Sequence, residues 1–261
     1  MVRAYRSFRA TLVGRQQPGR VWSKGLSAEL DFWERMVPGD VATDDESTFR
    51  QGLLERANPE EPIRDPLLKM LIERIPEEAV SIIDVGAGPL TAFGKKCPGK
   101  TLNITATDPL ADDYVRMMRA AGIQPPVRPV ACRGEDLLDL FEPGTFDIAY
   151  SQNALDHCVD PVHVIRNMVD LVKEGRFVVL RHVRREGERM RYQGLHQWNF
   201  DVEEREFVIW RTRGEKVHVA RSLGHTATVE CFEEGEWVIC TITKNALAQG
   251  SPGAPSTARA V

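Results

Sequence analysis

From Ala79 onward, apolar runs of strand length alternate with helical segments, and this alternation constrains the fold more than any other feature. "VSIIDVG" and "TLNITATD" read as two strands, the second ending at Asp108. "PLADDYVRMMRAAG" follows as a helix with Asp near its start and Gly after its end. "VRPVAC", "FDIAYSQ" and "RFVVLRHV" read as further strands. Between them lie the helical turn "EDLLDLF" and the helix "DPVHVIRNMVDLVKEG", whose apolar face is Val162, Val164, Ile165, Met168, Val169 and Val172. Such alternation predicts an α/β domain: a mostly parallel sheet with helices on both faces. After "GLHQWNFD" the helical pattern stops. "REFVIWRT", "KVHVARSL", "TATVECF" and "EWVICTITK" predict antiparallel terminal strands on that sheet.

The first strand runs into a glycine-spaced turn, Gly86-Ala87-Gly88. Glycine here lets backbone approach a ligand closely. The third glycine of a dinucleotide fingerprint is missing, because Thr91 takes its place, and Gly94 and Pro98 break the following helix within about two turns. A pyrophosphate wants the positive end of a good helix. Here it would meet Asp84, which repels phosphate and suits an ammonium or sulfonium group. Asp108 ends the next strand, about twenty residues on, where a carboxylate can accept both ribose hydroxyls. S-adenosyl-L-methionine, cationic and free of phosphate, fits both acids.

These segments resemble the class I S-adenosylmethionine-dependent methyltransferases, over roughly Ala79 to Lys244. "IIDVGAGP" looks like their first motif, "ATDPL" like the acidic strand end, and "FDIAYSQNALDH" like their fourth strand. The resemblance implies a Rossmann-like fold, with Asp84, Gly86 and Gly88 along the methionine part and Asp108 on the ribose. "GEDLLDLF" resembles the segment passing the adenine, which offers Gly134, Glu135 or Asp136. Arg133 stands where many members carry an acid, and "VKEGR" replaces a common Pro-Gly-Gly turn. At lower specificity, "NALDH" and "GLHQWNF" are similar to bacterial methyltransferases of sugars and specialised metabolites.

Methylating an alcohol requires alignment with the sulfonium and removal of a proton. The fourth strand ends in "SQNALDH", without the Asn-Pro-Pro-Tyr or Asp-Pro-Pro-Tyr of enzymes that methylate bases and amides. It offers Asn153 as a cofactor contact, and Asp156 and His157 beside the expected methyl position. His182 ends the fifth strand, and His196 lies in the following loop. His157 is the expected base, with His182 and His196 as competitors. Asp156 orients an imidazole, contacts substrate or caps the next helix. Asn153, Asp156, His157, His182 and His196 could also furnish a divalent-metal site, but without fixed motif spacing a metal is not the favoured reading. Trp33, Phe49, Trp198 and Phe200 are candidates for a substrate wall. Arg50, Arg56, Arg64, Arg181, Arg184 and Arg185 are candidates for an acidic group on the substrate.

The expected activity is therefore O-methylation of a small molecule or saccharide. The alternatives are an N-methyltransferase of a small molecule or peptide, a nicotinamide-dependent oxidoreductase, and a binding module that keeps the fold. A net charge of −4 gives no global basic field for nucleic acid. No apolar run suits a membrane span. The five cysteines lack C-x-x-C spacing, as expected of free thiols in the cytoplasm. Residues 1–26 read as a basic flexible leader, also compatible with an organelle transit peptide. Residues 27–78 read as an N-terminal helical cap, 79–245 as the methyltransferase core, and 246–261 as a disordered tail.

Overall fold

The computed structural model describes residues 18–37 and 44–246. Most of the expected leader and nearly all of the expected tail lie outside the described residues. Helices α1 (Pro18–Met36), α2 (Asp44–Arg56) and α3 (Pro66–Arg74) precede the sheet. Strands β1 (Ala79–Val85), β2 (Thr101–Asp108), β3 (Val130–Ala131), β4 (Phe146–Gln152) and β5 (Val172–Val183) follow, with α4 (Ala111–Ala120), α5 (Leu137–Leu140) and α6 (Pro161–Leu171) between them. A short helix α7 (Glu186–Arg189) leads to β6 (Asn199–Glu203), β7 (Glu206–Trp210), β8 (Val217–His218) and α8 (Val219–Leu223). Strands β9 (Ala227–Glu234) and β10 (Trp237–Lys244) complete the order.

Seven strands form one sheet in the order β3-β2-β1-β4-β5-β10-β9. The first five are parallel, and β10 runs antiparallel to both of its neighbours. Alternation along β1 explains why both faces are covered. Val80 and Ile82 pack with Leu68, Leu71 and Ile72 of α3, whereas Ile83 and Val85 pack with Val164, Ile165 and Met168 of α6. Each such buried side chain contributes roughly 1.5–3 kcal/mol. Asp65 caps α3 by accepting the Leu68 N–H at 2.8 Å, and Asp160 caps α6 by accepting that of His163 at 3.0 Å.

Four expectations need correction. The helical cap expected to start at residue 27 begins at Pro18, so the expected leader supplies its first turns. Tertiary contact holds that extension: Trp22 Nε1 donates to the His157 carbonyl at 3.2 Å, and Gly25 lies against Leu195. The late strands do not all join the main sheet. β6, β7 and β8 form a separate antiparallel sheet, because neighbouring hairpin strands pair locally and turn Phe200, Phe207 and Ile209 into the α6-side core. The "VRPVAC" strand shrinks to two residues.

The broken helix expected after the glycine turn does not form. Its segment pairs with the chain before α3: Lys95 and Lys96 N–H donate to the Glu61 carbonyl at 2.7 and 3.0 Å, and Ile63 N–H donates to Lys96 at 2.8 Å.

Candidate active site

The strand order reverses at β1, between β2 and β4, and ligands of open α/β sheets bind outside the carboxyl ends at such a point. At that edge Gly86 and Gly88 both have positive φ (72° and 64°), which only glycine adopts freely. Gly86 and Ala87 N–H both donate to the Thr107 carbonyl, at 2.9 and 3.0 Å. A Cβ on Gly86 would collide with the Ala154 methyl, and one on Gly88 would lie 3.6 Å from the Trp33 indole. The turn is thus squeezed by protein as well as shaped for a ligand.

Asp84 is 1% exposed, and its Oδ2 has no hydrogen-bond partner. Burial pushes its carboxyl up to about 7, and Asp108 adds to the shift against the pull of Arg56 and Lys95. Burial likewise pushes Asp108 up to about 6, although its two oxygens accept the Gly88 and Leu110 N–H groups at 3.0 and 2.9 Å. A buried carboxylate with an unpartnered oxygen suits an ammonium or sulfonium ligand, and a carboxylate with two amide bonds has further lone pairs for hydroxyls. On this test the residues present fit S-adenosyl-L-methionine.

The other expected cofactor contacts are partly committed to the protein. Glu135 Oε1 accepts Val159 and Asp160 N–H at 2.7 and 3.2 Å, while Oε2 pairs with Arg133 at 3.4 Å. Asp136 is half exposed and lies 3.9 Å from Arg133. Asn153, in the left-handed region, accepts the Val183 N–H and bridges the ends of β4 and β5.

Asp156 and His157 lie on a single 3-10 turn after β4, and the loop before β6 brings His196 to them. His196 Nδ1 is 2.7 Å from Asp156 Oδ2, His157 Nε2 is 3.3 Å from the same oxygen, and the two ring nitrogens are 3.2 Å apart. Asp156 is 1% exposed. Burial alone would raise its carboxyl, but the neighbouring His157 ring and the His196 hydrogen bond outweigh burial and hold it below the ordinary range. Burial disfavours the His196 imidazolium, yet the Asp156 bond raises that ring above its ordinary value. The capping role weighed for Asp156 belongs to Asp160.

His182 stands apart from this triangle. It stacks on Phe200 with centroids 4.5 Å apart, neither ring nitrogen has a partner, and burial lowers it to about 4. Trp198 and Phe200, expected on a substrate wall, are buried, with Trp198 Nε1 donating to the Cys158 carbonyl at 2.9 Å. Trp33 packs among Phe32, Phe49 and Tyr114. Arg181 pairs with Asp65, while Arg184 and Arg185 clamp the buried Asp201 at 2.6 and 2.7 Å. Glu186, which the sequence reading missed, lies 3.9 Å from His196 Nδ1. Its only signal was its place in the charged "RREGERMR" run.

Residues 83–180 match the model of a methyltransferase domain. Several solved structures resemble the fold. An S-adenosyl-L-methionine-dependent methyltransferase so described in Methanococcus maripaludis aligns at 14% identity and TM-score 0.45, over 70% of this chain and 85% of its own. The methyltransferase domain of the citrinin polyketide synthase aligns at 16% and 0.49, over 68% and 50%. A 16S rRNA methyltransferase of T. thermophilus, solved with AdoMet and guanosine, aligns at 11% and 0.38, over 73% and 42%. No curated protein sequence matches the chain. Residues 83–180 thus carry a methyltransferase domain, and the strand order and the acids at the glycine turn agree with an enzyme whose cofactor is S-adenosyl-L-methionine.

Proposed function

We propose that this enzyme methylates a hydroxyl of a small molecule or saccharide, with His196 as general base. The observation that carries the reading is the Asp156–His196 pair, 2.7 Å apart, at the carboxyl edge of β4. Asp156 accepts the Nδ1 proton of His196, which fixes the tautomer and leaves the Nε2 lone pair to take a hydroxyl proton. His157, the base expected from sequence, shares the same carboxylate at longer range. Burial lowers His182 to about 4, which makes it a poor base. A free amine acceptor would need no such dyad, and this favours oxygen over nitrogen.

S-adenosyl-L-methionine supplies an electrophilic methyl group. Asp84 would hold its ammonium end and Asp108 its ribose. Helix α1 lies against this edge through Trp22, Gly25 and Trp33. The absence of a net basic field supports a small acceptor over nucleic acid. The test is product analysis with labelled methyl groups on alcohol and amine acceptors of matched skeleton. Methyl ethers are expected; N-methylated products alone would refute the proposal.

A further inference from the structure

We infer that Asp156 Oδ2, His157 Nε2 and His196 Nδ1 form a site for a divalent first-row transition-metal ion, and that an ion there switches the base off. The inference rests on the proposed role of His196. The three atoms lie 2.7, 3.2 and 3.3 Å from one another. Ligands bound at ~2.0–2.2 Å on one face of an ion are roughly 3 Å apart. Among the described residues this is the one group of three or more His, Cys, Asp or Glu whose ligand atoms all lie within 4.8 Å of one another.

Protons alone serve this triangle poorly. A neutral imidazole has one N–H and one lone pair. If only His196 Nδ1 carries a proton toward Asp156, the lone pair of His157 Nε2 faces a carboxylate oxygen. If both nitrogens carry protons, two N–H groups face each other at 3.2 Å. A single cation satisfies all three electron pairs at once. A second observation points the same way: Asp156 Oδ1 is buried and has no partner, so the carboxylate is under-neutralised. Glu186, 3.9 Å from His196 Nδ1, adds a second negative charge that balances a divalent ion. A donor set of two imidazoles and one carboxylate suits zinc, iron, cobalt or nickel.

Binding through His196 Nδ1 has a chemical consequence. The one remaining ring proton must then sit on Nε2, and the lone pair proposed to accept the hydroxyl proton is gone. Metal and base action are mutually exclusive.

The test is titration of the full chain with Co2+, read by visible absorption without cosubstrate, together with methyl transfer in Zn2+ with and without chelator. One Co2+ per chain is expected. Asp156→Asn and His196→Ala should each weaken it more than tenfold, while His163→Ala, on α6 outside the triangle, keeps it. Circular dichroism confirms that each variant is folded. Zn2+ should inhibit turnover and chelator should restore it. Absent Co2+ bands, or bands unaffected in folded Asp156→Asn and His196→Ala, overturn the site; activation by Zn2+ overturns the exclusivity. Because Co2+ binding is read without turnover, it stands or falls separately from the identity of the acceptor.

Discussion

Asp84 and Asp156 are both 1% exposed, both at the carboxyl edge of the sheet, and they titrate in opposite directions. Asp84, on the glycine-turn side, keeps an oxygen without a partner, and burial raises it to about 7. Asp156, on the histidine side, has imidazoles beside it that overcome the same burial and lower it. Depth of burial therefore does not set the charge of a carboxylate here; its neighbours do. One half of the cleft holds two buried acids whose charge Arg56 and Lys95 only partly offset at Asp84. The other half holds its carboxylate against two imidazole rings.

The largest expected effect tests the histidine half. His196→Ala should slow methyl transfer by about 10²–10⁴-fold and leave the affinity for S-adenosylhomocysteine unchanged, in single-turnover kinetics and calorimetry respectively. Turnover within threefold of the parent would remove His196 as base. Next come the two buried acids. The Asp84 carboxyl titrates near 4 when unfolded and near 7 when folded, so the folded chain binds an extra proton between those values. Its contribution to stability is complete below pH 4 and is lost as pH rises through 7. Without cofactor, the parent should therefore lose stability between pH 5 and pH 8. Asp84→Asn, which cannot ionise, should lose less over that window, by about 2–3 kcal/mol. Denaturant midpoints at the two pH values measure this, and equal pH slopes would show that Asp84 is not the titrating group.

The same acids predict that S-adenosyl-L-methionine binds more tightly as pH rises toward 7, because its ammonium group favours ionised Asp84. That slope should flatten in Asp84→Asn. Asp108→Ala should weaken S-adenosylhomocysteine roughly tenfold to a hundredfold, the worth of hydrogen bonds to a charged group; calorimetry at fixed pH decides it. The smallest change is expected at the turn. Gly86→Ala forces a non-glycine residue to φ 72° against Ala154, at a cost of about 1–3 kcal/mol in thermal unfolding.

The parallel core was legible because β1, β4 and the second half of β5 are apolar and buried, and the helices between the strands carry caps and stripes. Asp84, Gly86, Gly88 and Asp108 could be placed for the same reason: strand ends and tight turns are local. The extension of α1 to Pro18 escaped sequence reading because Trp22 and Gly25 find their partners, His157 and Leu195, more than a hundred residues away. The missing helix after Gly88 escaped it too, because residues 95 and 96 bond to Glu61 across the chain. Arginines that looked available for a substrate are bound to Asp65 and Asp201, acids whose positions no spacing rule gives.

The sequence by itself determined a doubly covered α/β sheet, a glycine turn flanked by acids, and three histidines on segments that end at one edge. Hydrophobic period and backbone stereochemistry act over a few residues, so they are readable in a line of letters. Only the tertiary structure decided that His157 and His196 meet on Asp156 while His182 is sealed against Phe200. It also decided that one buried acid is raised and the other lowered. Those outcomes depend on distances of a few ångströms between side chains, several of them 18 to 40 positions apart, where Coulomb energy and desolvation change steeply and local pattern carries no information.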